Sequence, residues 1–573
     1  MPKPNEGTCW SRRRILQAAL AGSTVTAYPR YALSNKEKPV AIGSTRQLFF
    51  DDFLLDPEFT RGITPTLNRP HRIERVLKPE RPSEALGFIF YGSVVDDGGT
   101  AKLFHGSYDA EKRKHFALAT SEDGIHWERP ELGLVEYQGN RQNHLLPVEA
   151  VEASVFLDPN APPAKRYRLL YSRHWPDPEK AGVYLASSPD GIHWTESDVR
   201  LLPFVPDSQH CAVWDESIGK YVIYTRTWNP VRAIARVAVD DIEKPWPYDD
   251  LIEPHHIWGP EKVPTLSREL PTVMSRDDRD PPGVQLYTNA VIRYHGNSLA
   301  FPAAYQTFNG PEWKDRALNG NDGTFDIQFA SSRDGIEWDR RRSPWVAAGY
   351  HDGLDLRLVS MAQGLIRRGR ELHQYFIGWP HTHGRPVVWD NDREDRADWL
   401  KKDLGGIYCA TQRVDGFVSL DAGFPGGSFT TKPLTFTGHR LRLNLSTEGS
   451  GGVRVALLDE SGKVLPGFSE NDHNWINADA IDHEVRWKGD PSLEQHAGKP
   501  VRLRFELRNA KLFAFQFGEA AKDLAAITGS AGVSPATERW SATIPRRPGR
   551  LGASKDARAP FLASKRARRP HSQ

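Results

Sequence analysis

Three near-copies of one phrase constrain this chain more than any bulk property: SEDGIHW at 121–127, SPDGIHW at 188–194 and SRDGIEW at 332–338. Each follows a short alternating stretch, Phe116–Ser121, Val183–Ser188 and Phe325–Ser332. An alternating run feeding into Asp-Gly is a hairpin signal, because Asp caps the turn and Gly supplies the positive φ. The Trp three residues after the Gly is suited to packing between neighbouring units. Two worn copies complete the set. Asp241 to Trp246 has lost the Gly, and Asp415-Gly416-Phe417 replaces Trp by Phe. The phrase therefore reads as a structural part and not as an active site.

The Asp positions are 123, 190, 241, 334 and 415, and two further strand-like runs precede each of them. Before the first these are Phe88–Val95 and Ala101–Tyr108. Three strands before a turn and one after it make a four-stranded blade, so five copies predict a five-bladed β-propeller over residues 46–423. Asp249–Pro282 and His381–Asp403 read as loop-like insertions. Past Asp421 the alternating runs continue without the Asp-Gly phrase, and residues 424–518 predict a β-sandwich. The expected fold is all-β, a propeller followed by a C-terminal sandwich. The 47 Gly and 43 Pro agree with many short strands joined by tight turns.

The two ends differ from the body. Ser11-Arg12-Arg13-Arg14-Ile15-Leu16-Gln17 matches a twin-arginine export pattern, and the apolar run after it is too short for a bilayer span. Residues 1–32 are expected to be a signal peptide directing the folded protein to the periplasm or beyond, with no membrane span. Residues 528–573, rich in Ala, Ser, Pro and Arg, read as a disordered basic tail. From Ala531 there are ten Lys or Arg against two Asp or Glu, so the net +2 of the chain leaves about −6 on residues 1–530. That argues against nucleic acid as a partner of the folded body. Cys211 and Cys409 lie in strand-like stretches and read as buried thiols, with one disulfide as the alternative.

The stretches Gln47-Leu-Phe-Phe-Asp-Asp-Phe-Leu-Leu55, Ala119 to Gly133, Arg413 to Gly423 and Gly467-Phe-Ser469 carry a family resemblance. With the propeller and sandwich, the chain resembles the furanosidase-type glycoside hydrolases of families 32 and 43, and more closely an exported bacterial group labelled glycosyl-hydrolase-like. It departs from that group in carrying Ser83-Glu84 where Trp-Glu is common, and Gln285 where an acid is common. The resemblance implies a carbohydrate substrate and acids at the starts of innermost strands, facing a central funnel. One acid protonates the leaving oxygen, while the other activates water or attacks the anomeric carbon.

Reading the first-strand starts on that basis makes Glu84, Glu152 and Asp207 the candidate catalytic carboxylates. Asp207 is the expected acid, Glu84 the base or nucleophile, and Glu152 the group that tunes its partner. Candidate substrate-binding residues are Arg226, Arg236, Asp352, Asp355, Arg357, Trp379 and His383, since arginines grip hydroxyls or carboxylates and Trp stacks on sugars. His381 and His383 lack a third ligand in sequence, so no metal site is read, and no cofactor is assigned beyond the structural calcium known in this fold type. Phosphate-loop, GxSxG and CxxC motifs are absent. The expected activity is glycosidic-bond hydrolysis, and the alternative is a non-catalytic carbohydrate-binding or scaffold propeller.

Overall fold

The structure is a computed structural model that describes residues 38–174, 180–228, 231–248, 254–256, 262–264, 270–308, 321–384 and 402–519. The expected signal peptide and basic tail lie outside these residues. The described residues form β-strands and single-turn 3-10 segments with no α-helix, and no helix among them is long and apolar enough to cross a membrane.

The three full copies of the Asp-Gly phrase close blades one, two and four, as the turn chemistry predicts. Blade one comprises Phe88–Asp97, Thr100–Tyr108 and Lys114–Ser121, and a bridge from Thr120 to Glu128 begins its outer edge. Blade two runs Val151–Leu157, Tyr167–Arg173, Gly182–Ser188 and Thr195–Glu196. Blade three runs Cys211–Asp215, Lys220–Trp228 and Arg232–Val239, and its outer strand Thr272–Met274 comes from inside the stretch read as a loop-like insertion. Blade four is Val284–Tyr294, Asn297–Thr307, Gly323–Ser332 and Asp339–Val346.

Blade five departs from the simple count. Leu358–Met361, Glu371–Trp379 and Gly406–Arg413 pair in order, but the outer strand is Arg72–Leu77, drawn from ahead of blade one. The strand after Asp415-Gly416, Val418–Ala422, pairs with Thr64–Leu67 and Val501–Gly518 instead. An early strand that completes the last blade joins the ring's two ends by main-chain hydrogen bonds and covers an edge that would otherwise be open.

The three full copies of the phrase share one geometry. Asp123 Oδ1 accepts from the amides of Ile125 and His126, both at 2.8 Å, and Asp334 does the same for Ile336 and Glu337. Each Trp then packs edge-on against the preceding blade: Trp127 on Tyr375 at 5.2 Å, Trp194 on Phe104 at 6.1 Å and Trp338 on Tyr224 at 5.6 Å. The glycine is required twice over. Gly335 has φ +69°, and a methyl there would collide with the Tyr224 hydroxyl, which donates to the Gly335 carbonyl at 3.0 Å. Gly98 has a similar φ of +63° with open space around it. Gly98→Ala is therefore expected to cost about 1 kcal/mol for the left-handed backbone alone. Gly335→Ala should cost at least about twice that, because the blade contact is lost as well. Urea denaturation of the two variants checks this, and equal midpoints would mean the phrase does not latch blades.

A polar crossing closes the propeller axis. Gln363 lies between the strands Leu358–Met361 and Ile366–Arg368, and its main chain pairs with Gly92 and Val94 of blade one. Its side chain bonds Ser154 of blade two and donates to the carbonyls of Ala212 in blade three, at 2.8 Å, and Val291 in blade four, at 3.4 Å. One residue of blade five thus contacts every other blade. These axial groups are neutral, and the Gln363 amide uses carbonyls a cation would need. The set does not fit calcium, which takes six to eight oxygens, carboxylates among them.

Beyond the propeller, two long strands, Arg440–Asp459 and Val501–Gly518, pair with each other, and their register breaks between Thr447 and Gly452. The break lets the sheet fold over itself as a sandwich. Its core holds Phe429 stacked on Phe505 at 4.8 Å and Phe436 on Phe517 at 3.8 Å. Val40–Gly43, Gln47–Leu48 and Thr64–Leu67 from ahead of the propeller join this sheet. Cys211 and Cys409 are buried and free.

Candidate active site

In an antiparallel blade the first strand starts on the face where the second ends and the third begins. The Asp-Gly turns, which end third strands, therefore lie on the opposite face. The functional face collects first-strand starts and the residues that flank the hairpin between strands two and three.

Two of the three candidate acids come together there. Glu152 begins blade two and Asp207 precedes blade three, and both hold left-handed backbone, with φ +55° and +56°. Such a conformation costs a non-glycine residue about 1–2 kcal/mol and tends to persist at functional sites. Glu152 is buried, takes a 2.8 Å hydrogen bond at Oε1 from His174, and leaves Oε2 without a partner. Asp207 Oδ2 accepts from Arg226 Nη1 at 2.5 Å, and its main-chain carbonyl accepts from the Tyr91 hydroxyl at 3.4 Å.

The two carboxyls titrate in opposite directions. Burial opposes ionisation of Glu152, but His174 and His210 outweigh it and hold the group below the ordinary carboxylate range. Burial dominates at Asp207, and the negative charge of Glu152 adds to it, so its carboxyl is raised despite Arg226 and His174. Below them His210 is fixed by Ser172 at 2.8 Å and Thr225 at 2.9 Å, and burial keeps its titration down near 4.

Glu84 sits apart in a closed setting. Arg129 grips both its oxygens at 2.9 Å, His144 approaches Oε1 at 3.1 Å, and the amides of Glu80 and Arg81 take up Oε2. Burial raises its titration, but His144, His105 and Arg129 bring it down to about 2. The trio Glu84, His105 and His144 brings ligand-type atoms within 4.8 Å of one another among the described residues. With a guanidinium already forked onto the carboxylate, the set is better suited to holding that ion pair than a metal.

The candidate binding residues divide. Arg226 is fully buried beside Asp207, donates to the Tyr287 carbonyl at 2.8 Å and lies 4.2 Å over the Tyr287 ring. His383 meets the Tyr287 hydroxyl at 3.1 Å and the Asn321 carbonyl at 2.7 Å. Trp379 is buried with its ring 4.9 Å from Phe90, so it offers no face for stacking. Arg236 lies on the middle of its strand, packed near Tyr224 and Gly335 at the joint of blades three and four. Asp352 is exposed on a hairpin and accepts from the Arg75 amide at 2.9 Å on the closing strand, while Asp355 and Arg357 pair loosely at 3.8 Å. Neither Arg236 nor this blade-five group touches Glu152 or Asp207.

His174, His210, Tyr91, Tyr287 and Arg232 form the rest of the site and were not picked out from the sequence. The signal for two of them was positional: His174 directly follows a second strand and Arg232 begins a third, the two hairpin places that share this face.

No family model matches the sequence, and no curated protein matches it. Among solved structures, a glycosyl hydrolase from Bacteroides ovatus is 12% identical over 62% of this chain and 96% of its own, with a TM-score of 0.34. A structure from the GH130 family of mannoside phosphorylases, which contains glycoside hydrolases that target β-1,2-mannosidic linkages in Candida mannan, gives 12%, 62%, 95% and 0.34 in the same order. An N-acetylgalactosamine deacetylase from F. plautii, in complex with blood group B trisaccharide, gives 11%, 66%, 96% and 0.34. Values this low transfer neither activity nor ligand to this chain.

Proposed function

We propose that this protein hydrolyses glycosidic bonds of oligosaccharides or polysaccharides in the propeller funnel. Asp207 acts as general acid and Glu152 as base or nucleophile. The observation that carries the reading is the pair itself: two enclosed carboxylates at corresponding positions of neighbouring blades, with titrations driven apart. Such a split assigns acid and base within one site, because Asp207 holds its proton to higher pH than Glu152 does. His174 orients Glu152, and Arg226 holds Asp207 on a fully buried anchor. Glu84 takes no part in this reading, since every oxygen it has is already bound.

The test is hydrolysis of a glycan panel by the protein and by Glu152→Gln and Asp207→Asn. Product release by the protein that both variants lose supports the assignment. Equal release by all three would discard it, and binding without release would favour a carbohydrate-binding propeller. The twin-arginine pattern at residues 11–17 supports export of the folded protein to the periplasm or beyond. A fusion carrying Arg12→Lys and Arg13→Lys should stay in the cytoplasm, and unchanged export would exclude that route.

A further inference from the structure

The strongest feature outside the acid pair is a cation with no acid in ion-pair contact among the described residues. Arg232 begins the third strand of blade three, half-buried at the funnel face. Its Nη1 donates to Gln285 Oε1 at 2.9 Å and its exposed Nη2 to Asn321 Oδ1 at 3.1 Å, and both acceptors are neutral amides. Nε is buried without a partner, and no carboxylate forms an ion pair with the group among the described residues. The neighbouring Asp322 is committed elsewhere, to the amides of Gly323 and Gly384.

Aromatic rings hold the guanidinium in place, with Trp228 at 4.7 Å, Tyr287 at 5.2 Å and Tyr305 at 5.5 Å. Tyr287 is also the ring under Arg226, so two arginines share one aromatic support and only Arg226 has a carboxylate. Holding two like charges together in a partly desolvated place is unfavourable unless an anion arrives. The titration of Arg232 is lowered by burial first and by Arg226 second, with Tyr287 and Asp207 offsetting part of it. An arginine fixed on aromatic faces with one end open is a fork for planar or tetrahedral oxyanions.

We propose that Arg232 forms a subsite for an anionic group on the sugar, the carboxylate of a uronic acid or a sulfate ester, next to the Glu152–Asp207 pair. This rests on the reading of the funnel as a glycan site and adds the substrate class to it. Charge-assisted hydrogen bonds of this kind support a preference of about tenfold over the neutral sugar.

Calorimetry on the full chain tests it with three probes of equal length: a galacturonate oligomer, a sulfated galactose oligomer and the neutral galactose oligomer. The expected result is binding of at least one anionic probe about tenfold tighter than the neutral one, weakening as salt is raised. Which anionic probe binds distinguishes carboxylate from sulfate. Arg232→Gln should bring the preference near parity, and Arg232→Lys, which keeps the charge without the fork, should retain part of it. Preference for the neutral probe, binding of none, or a preference unchanged in Arg232→Gln would overturn the subsite. Anion-selective binding with no cleavage of any probe would leave the subsite standing and remove the hydrolase reading. Cleavage of the neutral probe with no selectivity would do the reverse.

Discussion

Asp207→Asn is expected to lower turnover of an unactivated oligosaccharide by about two to four orders of magnitude. An aryl glycoside with a good leaving group should lose much less. The difference follows from the role: a sugar alkoxide is a poor leaving group and needs a proton in the transition state, whereas a nitrophenolate departs without one. Glu152→Gln should lose both substrates alike, because water activation or direct attack is required whatever leaves. The pH dependence gives a second readout. Burial and the Glu152 charge raise the Asp207 carboxyl, so it keeps its proton above the ordinary carboxylate range, and activity should fall on the alkaline side as that proton is lost. That limb should vanish in Asp207→Asn measured on the aryl glycoside. Equal losses on both substrates would mean Asp207 is not the acid.

Asp415→Asn is expected to destabilise the chain by about 3–5 kcal/mol at neutral pH, the range for breaking a buried ion pair from one side. Asp415 is fully buried and accepts from Arg46 Nε at 2.5 Å, the Tyr294 hydroxyl at 2.7 Å and Asn444 Nδ2 at 2.9 Å, with His295 at 3.5 Å. These partners come from the N-terminal segment, blade four and the sandwich, so one carboxylate ties three parts together. Burial would raise its titration, but Arg46, His295 and Asn444 hold it far below the ordinary range. The sign follows directly. A depressed carboxyl stabilises the fold fully above its unfolded value, near 3.9, and the contribution is lost as pH falls below that. Urea denaturation at pH 7 and at about pH 2.5, below the unfolded value, should show the gap between protein and variant narrowing at the lower pH. Arg46→Met with Asp415→Leu should recover part of the loss, since no charge is left buried alone. A constant gap across this range would mean the cost is one of packing and not of charge.

The blades were legible because their closing turns are written in local chemistry. Asp123 caps amides two and three residues away, and Gly124 supplies φ +81° in the same turn. The worn copy at Asp415 kept the letters and changed the use. Its Asp-Gly is followed by a strand that leaves the propeller, and the vacant place in blade five goes to Arg72–Leu77. Nothing in Arg72-Ile-Glu-Arg-Val-Leu77 distinguishes a strand that pairs with Gly406–Arg413 from one that pairs nearby.

The acids were legible as places but not as chemistry. Glu84, Glu152 and Asp207 all precede or begin first strands, yet one is saturated by Arg129 and the other two form a pair. Burial, a guanidinium and a second carboxylate decide that difference, and they arrive from other strands and other blades.

The sequence by itself determined the all-β class, the five-fold count, the turns and the face on which first strands begin, because each depends on contacts within a few residues. Only the tertiary structure decided which strand closes the ring, which acids meet and which arginine lacks an acid. Those outcomes rest on partners 19 residues apart for Asp207 and Arg226, 45 for Glu84 and Arg129, and 369 for Arg46 and Asp415. At such separations a residue's charge and hydrogen bonding are set by what folding brings beside it.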